Sequence, residues 1–279
     1  MERVYDKCCG IDVHKKLIVA CFRDGKEQEV REFGATTKEL LQLADWLNSR
    51  GCQMVAMEST GSYWKPLYNI LEYSDLNAMV VNAQHMKAVP GRKTDVKDAE
   101  WIATCLLKDL ICGSYVPEDI VQQLSQYDRR ISDLNAECVS KLGKLDAALQ
   151  RCNIRISNYV STTDSKSYKD VVRLLSEGIR DPAEMASVVH ARTVNRIGKE
   201  VILASLTGVI SETDIDVIRQ LREEFDLAQR HKDECQSKMD AICRQYFHEQ
   251  LKNVQTIPGI KGRSATAIIA ESKKSTKKG

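Results

Sequence analysis

Apolar positions in the first 110 residues follow two rhythms. Near-continuous runs at 8–13, "CCGIDV", and 16–22, "KLIVACF", predict buried strands, and "EVREFGA" at 29–35 predicts a third. The Asp24–Gly25 pair between the last two is a hairpin signal, so the three read as a meander. "ELLQLADWLNSRG" at 39–51 then takes helical spacing, with Thr36 or Thr37 to cap it and Gly51 to end it. "QMVAMES" (53–59) and "NAMVVNA" (77–83) predict two more strands around a helix in "YWKPLYNILEYS" (63–74). A helix in "DVKDAEWIATCLLKDL" (95–110) completes the order βββαβαβα, three antiparallel strands followed by parallel crossovers with helices on both faces.

The rhythm changes after residue 117. Ile120, Leu124, Tyr127, Ile131, Leu134, Cys138 and Leu145 step by fours and threes, with one interruption at Lys141. A second such run is Ile218, Leu221, Phe225, Ala228, Cys235, Met239, Ile242 and Tyr246, interrupted at Lys232. Sustained heptads predict coiled-coil helices. The two can pair within one chain or between subunits, and the spacing suits both. The expected organisation is therefore an α/β domain at 1–116, a coiled-coil helix at 117–152 and a small helical unit at 153–210. A second long helix at 211–250 and a C-terminal unit at 251–279 follow. In the last, "NVQTIPGIKGRSATAIIAE" has the form of a helix-hairpin-helix, whose turn amides hold phosphate; a plain helical hairpin fits equally.

Composition narrows the class. The chain has 279 residues, 43% hydrophobic and 29% charged, which suits globular domains rather than disorder. No apolar run approaches the roughly 20 residues of a membrane helix, and "ERVYDKCCG" after Met1 has no secretory pattern. A cytoplasmic protein without a membrane partner is expected. Ten cysteines without a CxxC pair read as small buried hydrophobes rather than a zinc site or disulfide scaffold. Net charge is +2, yet seven lysines and arginines follow residue 251 against Glu271 alone, a solvated end that can also touch phosphates.

The candidate chemistry lies in four acids. Asp12 ends the first predicted strand, Glu58 ends the fourth, and Asp95 and Asp98 open the last helix of the α/β domain. Strands one and four of this order are neighbours in a ribonuclease-H-like fold, which would set Asp12 beside Glu58. Asp95 and Asp98, three apart, would share a helical face. Gathered together, four carboxylates repel unless cations lie between them. Two Mg²⁺ ions roughly 4 Å apart would neutralise them and clamp a phosphodiester, and hard oxygen ligands suit that ion. Singly, each acid has an ordinary reading: a turn residue, a cap, or a helix-dipole partner contributing about 0.3–1 kcal/mol. Arg92, Lys93 and Lys97 lie where a phosphate backbone would approach, or merely solvate a helix start. His14 and His85 read as structural or substrate-facing rather than as ligands. Tyr63 and Trp64 pack beneath the helix or stack on a base.

"GIDVHKK", "MESTGSYWKPLYNIL" and "VNAQHMKAVPGRKTDVKDAEWIATCL" resemble the signatures of insertion-sequence transposases with a RuvC-like DEDD domain. That class includes the pilin-gene inverting recombinase and members directed by a structured bridge RNA. The resemblance runs from about residue 8 to 270 and is strongest at 91–106. It implies that Asp12, Glu58, Asp95 and Asp98 bind Mg²⁺ and carry out DNA strand cleavage and transfer. It also implies dimer contacts through the long helices, possession of DNA partners, the option of a guide RNA, and a C-terminal serine nucleophile.

The sequence departs from the pattern at that serine. "SKKSTKKG" stands where the family continues, and Ser264, Ser272 and Ser275 lack the matching context, so the nucleophile is unknown. The expectation is an intact acidic half with a shortened strand-transfer half. The alternative is a remnant that binds DNA or guide RNA without completing recombination. A Holliday-junction resolvase shares the chemistry but needs neither long helix. An actin-like ATPase needs glycines after its first aspartate, where this chain has Val13, His14 and Lys15.

Overall fold

The computed structural model describes residues 5–25, 27–59, 61–82, 86, 97–114 and 116–272. It divides into two compact units, 1–116 and 117–279.

In the first unit the described strands are β1 (Lys7–Val13), β2 (Leu17–Asp24), β3 (Glu27–Gly34), β4 (Met54–Glu58) and β5 (Ala78–Val81). They form one mixed sheet in the order β3-β2-β1-β4-β5. The pairs β1–β2 and β2–β3 are antiparallel, and β1–β4 and β4–β5 are parallel. The connection after β2 contains Gly25 at φ 61°, a conformation glycine adopts without strain.

Helix α1 (Thr37–Ser49) starts where Thr36 accepts from the Glu39 amide. Glu39 in turn accepts from the Thr36 hydroxyl at 2.7 Å and the Gly34 amide at 3.0 Å, and these bonds hold its carboxyl below the usual range. Helix α2 (Trp64–Tyr73) follows β4, and helix α3 (Asp98–Leu107) comes after β5.

Side chains alternate across a strand with period two, so each strand serves both faces. Cys9, Ile11, Val13, Val55, Met57 and Val80 join Leu43 and Leu47 of α1 and Leu67 and Leu71 of α2 in one core. Cys8, Ala56 and Val81 face the other way, against Trp101, Ile102, Cys105 and Leu106 of α3. The near-continuous apolar runs of β1 and β4 follow from this double burial.

The second unit is helical: α4 (Asp119–Arg151), α5 (Lys166–Ser176), α6 (Pro182–Ser187), α7 (Ala191–Ile197), α8 (Lys199–Leu206), α9 (Glu212–Tyr246), α10 (His248–Gln255) and α11 (Arg263–Ser272). The long helices α4 and α9 run antiparallel against each other. Arg151 meets Asp214 at 2.6 Å at one end, Lys141 pairs with Glu224 further along, and Val121 and Leu124 pack with Met239 and Cys243 at the other end. The described seam residues of the two helices thus pack against each other within the chain.

The seam differs in detail from the heptad pattern. Lys141 is turned out to Glu224 and Leu142 is buried in its place. At the end of α9, Tyr246 is exposed while Cys243 and Phe247 are buried. In both places the lysine or tyrosine keeps its polar end in water while a neighbour fills the core. The short helices add Tyr168, Val171, Leu175, Met185 and Ile202 to the core around Leu145 and Leu149. The segment read as a helix-hairpin-helix forms α10, a turn with Gly259 and Gly262 at positive φ, and α11. Ser125 donates to the Ala270 carbonyl at 3.2 Å and so joins α11 to α4. No helix among the described residues is long and apolar enough to cross a membrane.

Candidate functional site

The end of β1 carries the first acid. Cys8 and Gly10 face α3, so the alternation continues to Asp12 on the same side; by the same rule Glu58 follows Met54 and Ala56. The parallel register pairs Ile11 with Met57, which sets Asp12 and Glu58 one step further, on strands roughly 4.8 Å apart. Both acids therefore end neighbouring strands on one face.

Gly10 determines how α3 crosses that face. A Cβ on Gly10 would stand 2.4 Å from the Ala99 carbonyl oxygen and 2.2 Å from the Ala103 amide nitrogen. The helix backbone thus lies directly on the strand, as only glycine allows. The Cys8 sulfur approaches the Ala103 oxygen at 3.9 Å, one turn further along the helix than Ala99. Advancing along β1 means retreating along α3, so the start of α3, Asp98, lies toward the Asp12 end. Arg23 of β2 fixes the helix by donating to Thr104 at 2.8 Å.

Asp12, Glu58 and Asp98 are each half-buried. Asp12 Oδ2 lies 3.0 Å from His14 Nε2, so the histidine beside the acid contacts it directly. Helix α3 begins at Asp98 after Lys97 in an extended conformation (φ −61°, ψ 148°). The expected shared helical face of Asp95 and Asp98 involves Asp95, which lies outside the described residues. Lys97 stands exposed at the cap. Asp95, Arg92, Lys93 and His85 lie outside the described residues. Trp64 packs on the α1–α2 core and meets Tyr68 edge-on at 5.9 Å, while Tyr63 is 44% exposed.

Among the described residues no three His, Cys, Asp or Glu side chains converge into a group able to hold a metal ion. The donors on this face are carboxylate oxygens, which match a hard divalent cation better than thiol or imidazole. The nearby thiols do not compete, because burial pushes Cys8 and Cys21 up to about 11 and a protonated thiol is a poor ligand. Sequence reasoning missed Gly10. Its signal was present: a lone glycine inside a strand marks a close backbone approach.

The strand order, the parallel β1–β4 pair and the helices on both faces are those of a ribonuclease-H-like α/β domain. Residues 9–154, just over half of the chain, match the family model of DEDD transposases of the IS110 type, described as transposase. The chain belongs to that family. The match covers the α/β unit and extends to the end of α4. No curated protein matches the chain.

Proposed function

We propose that the chain is an insertion-sequence transposase or recombinase that cleaves and transfers DNA strands at a divalent-metal site of Asp12, Glu58, Asp95 and Asp98. One observation carries this reading. Two acids end adjacent parallel strands on the face that α3 crosses, and a third opens α3 at the same end.

Asp12, Glu58 and Asp98 would supply the oxygen ligands, with Asp95 completing the set. When bound, Mg²⁺ would stabilise the charge on the attacking and leaving oxygens of a phosphodiester. The protein's own part is to hold the acids in place. Hydrogen bonding of β1 to β4 fixes the spacing of Asp12 and Glu58, and Gly10 sets how near Asp98 comes to them. Lys97, with Arg92 and Lys93, would meet the phosphate backbone; such contacts weaken as salt rises. His14 reaches Asp12 and would help orient its carboxylate.

The match over residues 9–154 supports a transposase over a junction resolvase. A guide RNA rests on the sequence resemblance alone. The test is cleavage or excision on DNA bearing insertion-sequence ends, with and without Mg²⁺, comparing the native chain with Asp12→Asn. Metal-dependent cleavage lost in the variant supports the reading; equal cleavage by both refutes it.

A further inference from the structure

The two hairpins of the sheet are closed in different ways. Between β2 and β3 stands Asp24–Gly25, with Gly25 at φ 61°, the residue type and backbone that such turns favour. Between β1 and β2 the His14 amide donates to the Leu17 carbonyl at 2.9 Å, which leaves Lys15 and Lys16 as the turn. Neither lysine has a positive φ, and neither is the glycine, asparagine or aspartate that a two-residue turn prefers. Both are exposed, and neither makes an ion pair among the described residues. Where a chain departs from a local preference with no gain in packing, function is the usual cause.

The turn opens onto an uncovered part of the sheet. Gly10, Cys21 and Val30 form one row across β1, β2 and β3, and Asp12, Val19 and Glu32 form the next. Helix α3 covers the first row as far as Cys21, through Ala99 and Ala103. Beyond it Val30 is 37% exposed, and Leu17, on the same face by alternation, is 38% exposed. An apolar strip therefore starts beside Asp12 and runs toward the edge of the sheet, where Glu32 stands exposed.

We infer that this turn and strip hold the DNA strand whose phosphodiester is cleaved, and that the strand is unpaired beside the cut. The inference rests on the reading of the acids as a DNA-cleaving site. Lys15 and Lys16 lie three and four residues beyond Asp12, at most roughly 13 Å of extended chain. They take the phosphates next to the scissile one. Carboxylates repel a polyanion, so a strand that approaches them needs cations just outside the acid face. Leu17, Val19 and Val30 pack against sugar and base. Glu32 repels phosphate from the strip, which keeps the backbone at the turn and lays the bases on the sheet. A base lying on apolar side chains has left its pairing partner.

The test is fluorescence anisotropy of the full chain in EDTA, which silences metal-dependent chemistry. Single-stranded DNA, duplex DNA and single-stranded RNA of one sequence form separate arms across a salt series. The double variant Lys15→Ala, Lys16→Ala is expected to bind single-stranded DNA about tenfold more weakly. Its salt slope should fall by roughly 1.4, the loss of two phosphate contacts on a single strand at about 0.7 each. Arginine at both positions restores affinity and slope. Leu17→Ala is expected to weaken binding about threefold at an unchanged slope, because it removes apolar contact and no charge. Unchanged affinity and slope in the double variant overturn the inference, as does a native chain that binds no DNA. An effect as large on duplex as on single-stranded DNA overturns the unpaired strand, and an effect confined to RNA overturns the assignment to DNA. This binding needs no metal. Its loss in the double variant, together with cleavage that Asp12→Asn leaves unchanged, would therefore refute the metal site and leave the turn's role standing.

Discussion

Gly10 and Ala103 lie so close that a side chain on the first would meet the backbone of the second. An added Cβ would stand 2.2 Å from the Ala103 nitrogen and 2.8 Å from its Cα. Backbone atoms cannot swing aside as a flexible side chain can, so the helix itself would have to lift. Gly10 therefore connects the packing of the sheet to the position of Asp98.

Gly10→Val is expected to destabilise the chain by about 1–3 kcal/mol, as overpacking does. It is also expected to reduce metal-dependent cleavage more than the stability loss explains. Thermal melting and cleavage rates at several Mg²⁺ concentrations check this. A variant that melts lower yet cleaves normally at the native Mg²⁺ optimum would show that Gly10 serves packing alone.

The displaced seam of α4 makes a second test. Leu142 is buried and Lys141 is turned toward Glu224, although strict heptads place the lysine in the seam. Leu142→Ala should cost about 2–5 kcal/mol. Lys141→Ala should leave the melting temperature nearly unchanged, since partly exposed ion pairs contribute little. Denaturant unfolding of the two variants decides, and the reverse ranking would restore the heptad register.

Helix α9 starts with a capping box, in which Ser211 accepts from the Asp214 amide at 3.2 Å and Asp214 accepts from the Ser211 amide at 3.0 Å. The bonds from Ser211, with help from Arg151, hold the Asp214 carboxyl down at about 2 against an ordinary 3.8. A depressed carboxyl stabilises the fold above its unfolded pKa, and that contribution disappears as pH falls through the folded value. Ser211→Ala is expected to cost about 1 kcal/mol at neutral pH. The gap between native and variant should narrow as pH drops from about 4 toward 2. Urea titrations at pH 7, 4 and 2.5 check it; a constant gap would mean that the cap does not involve the charged form.

The ten thiols differ in reactivity. Cys112 is exposed, while burial pushes Cys8 and Cys21 to about 11 and Cys52 to about 12. Only thiolates alkylate readily. Iodoacetamide at pH 7.5 should modify Cys112 first, and these three only on unfolding. Peptide mass spectrometry reads the order, and early labelling of Cys8 would contradict the packing of β1.

The sheet was legible in the sequence because both rhythms in it have a physical cause. Strands buried on two faces show as continuous apolar runs, and the Asp24–Gly25 turn punctuates the first hairpin. Strict spacing was less informative in the long helices. At Lys141 a long side chain can keep its stem against the seam and its charge in water, so the periodicity could not say whether lysine or leucine fills the core. Nor could it name the partner helix, because α4 and α9 carry similar seams. At the candidate site, the neighbouring of strands one and four in a ribonuclease-H-like order placed Asp12 and Glu58 on adjoining strand ends, and the β1–β4 pair has that order. Asp98 opens the described helix α3, while Asp95 lies outside the described residues. Gly10 went unnoticed because a close approach depends on a helix ninety residues away in sequence.

The central claim is the proposed divalent-metal site of Asp12, Glu58, Asp95 and Asp98, whose three described members do not by themselves form a metal-holding group. Electron paramagnetic resonance of Mn²⁺ titrated into the full chain tests it most directly, with Asp12→Asn, Glu58→Gln and Asp98→Asn beside the native protein. Saturable binding that each substitution weakens about tenfold or more is the expected result. Binding that survives all three substitutions unchanged, or native protein that leaves the free Mn²⁺ signal undiminished, would contradict it.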